Sequence, residues 1–269
     1  MRTTALALLA AACTGPTQAQ EPPDPAPRLE RATPAAAPLV SATPAPPAPV
    51  EPAGTVPLDV PGFRPAEHLA PYRTSGARPV VVVLHGNFDR PEWDCAAWDP
   101  IVEGRAFILC PRGIPRTDAP GLDRWHYGAR SSILREVAAG RAALAARYPG
   151  RVDGGPDVWV GFSLGAFHLA PLARSSPDRY PRIVLVEGGL DGWDRRGAAT
   201  FATRGGRKIA FACGRPGCRE RARRLTSVLQ AAGADARVAF AAIGHNFYGP
   251  LVTETRPVFD WLVEDDQRF

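Results

Sequence analysis

A serine sits between two glycines in Gly161-Phe162-Ser163-Leu164-Gly165, directly after the apolar run Val158-Trp159-Val160. A strand turning sharply into a helix would present the Ser163 hydroxyl at the apex of the turn. The crowding of such a turn favours glycine on both sides. The following helix would aim its N-terminus at the same point and offer the Leu164 N–H to a developing oxyanion. A serine so placed attacks carbonyl carbon, provided that a base takes its proton. Among five histidines, Gly244-His245-Asn246 falls on a loop between the last expected strand and the closing helix. Loop mobility and an imidazole pKa near neutrality suit His245 to that base role. His68 lies near the start of the folded region, and His168 lies within the helix behind the serine. His126, in Arg124-Trp125-His126-Tyr127, could line a site but comes early in the chain. A third stretch, His85-Gly86-Asn87-Phe88, follows the run Val80–Leu84. There the Asn87 backbone N–H is the candidate second oxyanion donor, and His85 reads as structural.

The elements that must position these residues alternate along the chain. Short apolar runs at Val80–Leu84, Ala106–Cys110, Val158–Gly161, Ile183–Glu187, Lys208–Cys213 and Ala236–Ala241 read as buried strands. Segments of helical period lie between or after them: Ser131–Tyr148, Leu164–Arg174, Glu220–Ala232 and Pro257–Val263. This alternation predicts an α/β domain over Leu58–Phe269, a mostly parallel sheet with helices on both faces.

Composition separates that domain from what precedes it. Thirty prolines are too many for one compact domain, and residues 20–57 alternate Pro, Ala and short polar residues. Such a stretch lacks an apolar face and reads as a disordered, semi-rigid spacer. Residues 1–19 read as an export signal: Arg2, then the apolar Ala5–Ala12, too short to span a bilayer. Either Thr17-Gln18-Ala19 is a cleavage site, or Cys13 is a lipoprotein cysteine with Ala10 where a larger aliphatic residue is usual. The expected location is therefore outside the cytoplasm, either secreted or attached to a membrane through a lipidated Cys13. Cys95, Cys110, Cys213 and Cys218 remain, an even number that suits disulfides in an oxidising compartment. Cys213 with Cys218 would close a short loop and leave Cys95 for Cys110. No CxxC spacing supports zinc, so no metal is expected. The net charge of +5 is almost all arginine, and the densest basic run, Arg215–Arg224, falls on an expected helix. A solvated helix face accounts for it better than nucleic acid does.

The three motifs and their spacing resemble the α/β-hydrolase superfamily over essentially all of Leu58–Phe269. Within it the chain is similar to compact esterases: the dienelactone hydrolase, phospholipase/carboxylesterase and polyhydroxybutyrate-depolymerase-like groups. The resemblance implies an eight-stranded, mostly parallel sheet and acyl transfer without a cofactor, although the first strands are hard to find. It also implies an acid that orients the histidine, and here the chain departs from its relatives. Their acid usually follows the strand read as Lys208–Cys213, where this chain has Gly214-Arg215-Pro216-Gly217-Cys218. Pancreatic-type lipases place it after the preceding strand, where the chain reads Glu187-Gly188-Gly189-Leu190-Asp191-Gly192. Asp191, on a glycine-flanked turn, is the expected acid, ahead of Glu187, Glu220 and Asp194.

The expected function is hydrolysis of short-chain or polymer-linked carboxylic esters by Ser163, His245 and Asp191, with Asn87 and Leu164 as the oxyanion hole. About twenty residues between Glu187 and Lys208 leave no room for a large lid, so the site should be open. Trp125 and Trp193 would be its apolar walls or plain core residues. The alternatives are an inactive hydrolase-fold binding protein of the cell envelope, favoured by the missing carboxylate, and a serine peptidase.

Overall fold

The structure is a computed structural model that describes residues 54–73 and 75–269. The expected export signal, Cys13 and nearly all of the expected spacer lie outside the described residues. Strands β1 (Val56–Leu58), β2 (Ala66–Leu69), β3 (Val80–Leu84) and β4 (Phe107–Cys110) open the chain, with helix α1 (Pro91–Val102) between the last two. A small hairpin, β5 (Ile114–Pro115) and β6 (Trp125–His126), leads into α2 (Arg130–Arg147). Then follow β7 (Val158–Phe162), α3 (Leu164–Ser175), β8 (Arg182–Val186) and α4 (Arg195–Thr203). The chain closes through β9 (Lys208–Cys213), α5 (Pro216–Ala231), β10 (Asp235–Phe240) and α6 (Pro250–Val263).

Eight strands form one sheet in the order β1-β2-β4-β3-β7-β8-β9-β10. The first two strands pair antiparallel, and the six from β4 to β10 in that order are mutually parallel. The first strand begins at Val56, so the last two residues of the expected spacer belong to the sheet. Period-two alternation divides the apolar residues between two cores. Val80, Val82 and Leu84 join Trp159, Ile183, Leu185, Ile209 and Phe211 beneath α2, α3, α4 and α5. Val81 and Val83 join Val158, Val160, Val184, Val186, Ala210 and Ala212 beneath α1 and α6.

At the N-terminal ends of β8 and β9, opposite the serine turn, buried Arg182 and Lys208 hold the end of α6. Arg182 Nε donates to the Leu262 carbonyl (3.0 Å), and Lys208 Nζ donates to the Trp261 carbonyl (2.8 Å). The loop that enters α6 carries His245, so this anchoring fixes one end of the segment that bears it.

Disulfides join Cys95 to Cys110 and Cys213 to Cys218, the pairing the spacing suggested and one compatible with an oxidising compartment. The first ties α1 to β4 across 15 residues. Closing a loop of that length removes enough unfolded-chain entropy that Cys95→Ala/Cys110→Ala should lower the unfolding free energy by about 3 kcal/mol. Urea denaturation followed by circular dichroism measures that loss. No helix among the described residues is long and apolar enough to cross a membrane.

Candidate active site

The C-terminal ends of β7, β8, β9 and β10, neighbours in the sheet, carry the site. At the end of β7 the chain turns into α3 through Ser163, which has φ 49° and ψ −107°. A non-glycine residue pays a steric cost in that region, and it persists only where its surroundings over-determine it. Here the Ser163 N–H donates to the Val186 carbonyl (2.9 Å) and the Ser163 carbonyl accepts from Phe167 N–H (3.0 Å). A Cβ on Gly161 would lie 2.5 Å from Ala166 N, and one on Gly188 would lie 2.7 Å from the Ser163 carbonyl oxygen. The turn therefore needs both glycines.

The loop after β10 brings His245 back over the serine. Its Nε2 lies 2.8 Å from Ser163 Oγ, and its Nδ1 lies 2.9 Å from Glu187 Oε2. A carboxylate can only accept, so Nδ1 carries the proton and Nε2 is left to accept from the serine hydroxyl. The Phe162 ring packs 5.4 Å from the imidazole, whose side chain remains 41% exposed. Access from solvent fits the absence of a large lid: α4, in the β8–β9 connection, packs Ala198 and Phe201 into the core.

The carboxylate that meets His245 is Glu187 and not the expected Asp191, which corrects the expected arrangement. Strand β8 ends at Val186, one residue earlier than expected, and Glu187 takes a left-handed backbone (φ 51°). That twist sends its carboxylate across the ends of β9 and β10. Oε1 accepts from the N–H groups of Gly214 (2.7 Å) and Arg215 (2.9 Å), and Oε2 accepts from Arg215 Nε (2.6 Å). Burial alone would raise this carboxyl. The His245 bond, the two backbone N–H groups and the guanidinium outweigh it and hold the pKa below its ordinary value, so Glu187 stays ionised.

The other candidate carboxylates point elsewhere. The Asp191 side chain is 83% exposed and pairs with Arg221, because the chain has already turned away at Gly188 and Gly189. Asp194 caps α4 by accepting from Gly197 N–H (2.7 Å). Glu220 lies on α5, paired with Arg224 one turn on. The signal that could have found Glu187 was present: a carboxylate ending an otherwise apolar buried strand requires a partner.

Leu164 opens α3, so its N–H is one of the first-turn donors that the helix cannot satisfy itself. Asn87 is exposed after Gly86, and its side-chain Oδ1 accepts from Arg116 Nη1 (2.6 Å), so that side chain is engaged away from the serine. His85 is buried with its ring nitrogens against the carbonyls of Gly86 (2.8 Å) and Arg112 (2.9 Å), and burial lowers its pKa. His68 is buried on β2 against Tyr148 Oη (2.9 Å), and His126 lies half-buried on β6. Trp193 is core, edge-on to Phe201, and Trp125 is buried beside the Arg112 guanidinium. Neither forms a wall of the site. The exposed aromatics on the site's own segments are Phe88, Phe167 and Tyr248.

No protein-family model matches the chain, nor does any curated protein. Solved structures do share its fold. The carboxylesterase of Bacillus cereus is 19% identical, with 73% of this chain and 93% of that chain covered and a TM-score of 0.51. Est1E from Butyrivibrio proteoclasticus is 12% identical, covering 78% and 98%, with a TM-score of 0.53. The esterase PE8 is 16% identical, covering 77% and 100%, with a TM-score of 0.52. With the sheet order and the serine turn, these likenesses identify an α/β-hydrolase fold.

Proposed function

We propose that the protein is a serine hydrolase of carboxylic esters, with Ser163 as nucleophile, His245 as base and Glu187 as the orienting acid. The observation that carries this reading is the unbroken chain of hydrogen bonds from Ser163 Oγ through both ring nitrogens of His245 to an ionised Glu187. It favours the enzyme over an inactive binding protein, since a carboxylate after β8 meets His245 in place of the one missing after β9.

Ser163 Oγ attacks the ester carbonyl as His245 Nε2 takes its proton. The oxyanion is met by the Leu164 N–H and the Asn87 backbone N–H, preorganised donors of the kind that contribute most to acyl transfer. The imidazolium then protonates the departing alkoxide, which leaves an acyl-serine. A water molecule, deprotonated by His245, attacks that acyl carbon, and the imidazolium returns the proton to Ser163 Oγ as the acid departs. Glu187 fixes the tautomer and stabilises the imidazolium without taking a proton itself. The open position and the exposed Phe88, Phe167 and Tyr248 favour short-chain esters or ester groups of a polymer. Similar solved structures that carry esterase in their names support an ester as the substrate.

A fluorophosphonate probe tests the reading on the full chain. Wild type should label and Ser163→Ala should not, with p-nitrophenyl acetate hydrolysis falling in parallel. A folded wild type that neither labels nor hydrolyses the ester would defeat the proposal.

A further inference from the structure

Three members of the site hang from β7, β8 and β10, and the strand between the last two, β9, contributes none of them. Its end is nonetheless the most heavily constrained part of the site. The backbone N–H groups of Gly214 and Arg215 and the Arg215 guanidinium supply three of the four hydrogen bonds to the Glu187 carboxylate, His245 giving the fourth. On its other side the same turn holds the histidine loop. The Cys213 carbonyl accepts from Ala241 N–H (3.2 Å), and the Gly214 carbonyl accepts from the N–H groups of Ile243 and Gly244 (both 3.1 Å). A Cβ on Gly214 would collide with the Gly244 carbonyl oxygen, so only glycine permits the approach. The Cys213–Cys218 disulfide closes this turn on itself, with its Cα atoms 5.5 Å apart.

We propose that the disulfide-closed turn Cys213–Cys218 is the positioning element of the site, with Arg215 its positioning residue, holding Glu187 on one side and the His245 loop on the other. This rests on the reading that Ser163, His245 and Glu187 catalyse ester hydrolysis. The turn occupies the place where similar esterases carry their acid, and here it serves the acid supplied by the neighbouring strand. Arg215 has a second consequence. Its Nε and His245 Nδ1 share the same oxygen, Glu187 Oε2, so its fixed positive charge stands beside the imidazolium that forms during attack. The charges facing His245 are Glu187 and Arg215. Ser163 meets it from the start of α3, while Asp89 Oδ2 and the Phe162 ring both border Gly86. From the side of α6 the packed residues are the apolar Phe247 and Leu251.

The test compares Arg215→Gln, Arg215→Lys and Cys213→Ser/Cys218→Ser with wild type in p-nitrophenyl acetate kinetics, with kcat and KM resolved separately. Ser163→Ala serves as the blank, and folding is checked by circular dichroism. Arg215→Gln should lower kcat about tenfold with KM little changed, since misplacement on the ångström scale suffices for that. Arg215→Lys, which keeps a cation beside Glu187 but loses the planar fork, should recover part of that kcat loss. The double serine variant should lose kcat by a similar factor, whereas Cys95→Ala/Cys110→Ala should lose stability and keep kcat. A folded Arg215→Gln with wild-type kcat and KM, while Ser163→Ala is dead, overturns the positioning role alone. A wild type no faster than Ser163→Ala overturns the catalytic reading and this inference together.

Discussion

Glu187→Gln should lower kcat for p-nitrophenyl acetate by about 10³ to 10⁴, with the fold intact, and Asp191→Asn should stay within about twofold of wild type. The size of the first effect follows from the hydrogen-bond pattern. The glutamine carbonyl would settle against the N–H groups of Gly214 and Arg215, which need an acceptor. Its amide nitrogen would then occupy the place of Oε2 and face His245 Nδ1 as a donor. The imidazole would have to accept there, which moves its proton to Nε2. Ser163 Oγ would meet an N–H where it requires a lone pair. Asp191 touches only Arg174 and Arg221 at the surface, so its neutralisation costs the reaction nothing. Stopped-assay kinetics of both variants decide between them, and equal losses would return the acid to open question.

Gly165→Ala should lower the unfolding free energy by about 3 kcal/mol, the upper range for forcing an atom into a packed interior. The new Cβ would fall onto the Leu84 carbonyl oxygen and within 2.7 Å of the Leu84 carbonyl carbon and Cβ. Both are held by strand β3, so the start of α3 would have to lift away. That motion would break the bond from Gly165 N–H to the His85 carbonyl (3.2 Å) and open the serine turn. Gly121→Ala makes the contrast, because nothing lies within 4 Å of its Cβ position and the change should stay within about 0.5 kcal/mol. Urea titration of the two variants gives the comparison. A Gly165→Ala protein as stable as Gly121→Ala would show that the turn yields cheaply.

The sheet was legible where burial on both faces writes continuous apolar runs, as in Val80–Leu84 and Val158–Phe162. It was hardest to read at its antiparallel edge. Strand β1 is Val-Pro-Leu, and β2 is Ala-Glu-His-Leu, with Glu67 and His68 buried among partners that only the fold supplies. Helix α1 was missed because two aspartates and Pro100 interrupt its apolar stripe. Ser163 and His245 were readable because local turn chemistry marks them. The carboxylate that meets His245 was harder to choose: Glu187 ends a buried apolar strand, a signal in itself, but its reach depends on the φ of that one residue. One residue of extra strand would keep Glu187 on the sheet, and the left-handed turn at that residue carries it to the histidine. Gly214 and Arg215 left no sequence signal at all, because their partners lie 27 and 28 residues away in the chain.

Neighbouring strands lie about 4.8 Å apart, so β10 leaves the sheet about 14 Å from β7, three spacings away. His245 nevertheless reaches the serine at hydrogen-bond distance. Its loop is thus a cantilever that spans two strands and is braced near mid-length by the turn beneath it. The stiffness of such an arm comes from the brace rather than from the sheet. Mild heat or denaturant would therefore part His245 from Ser163 before the protein unfolds, and the half-life of the proposed activity would report on a few loop hydrogen bonds while the core stood unchanged.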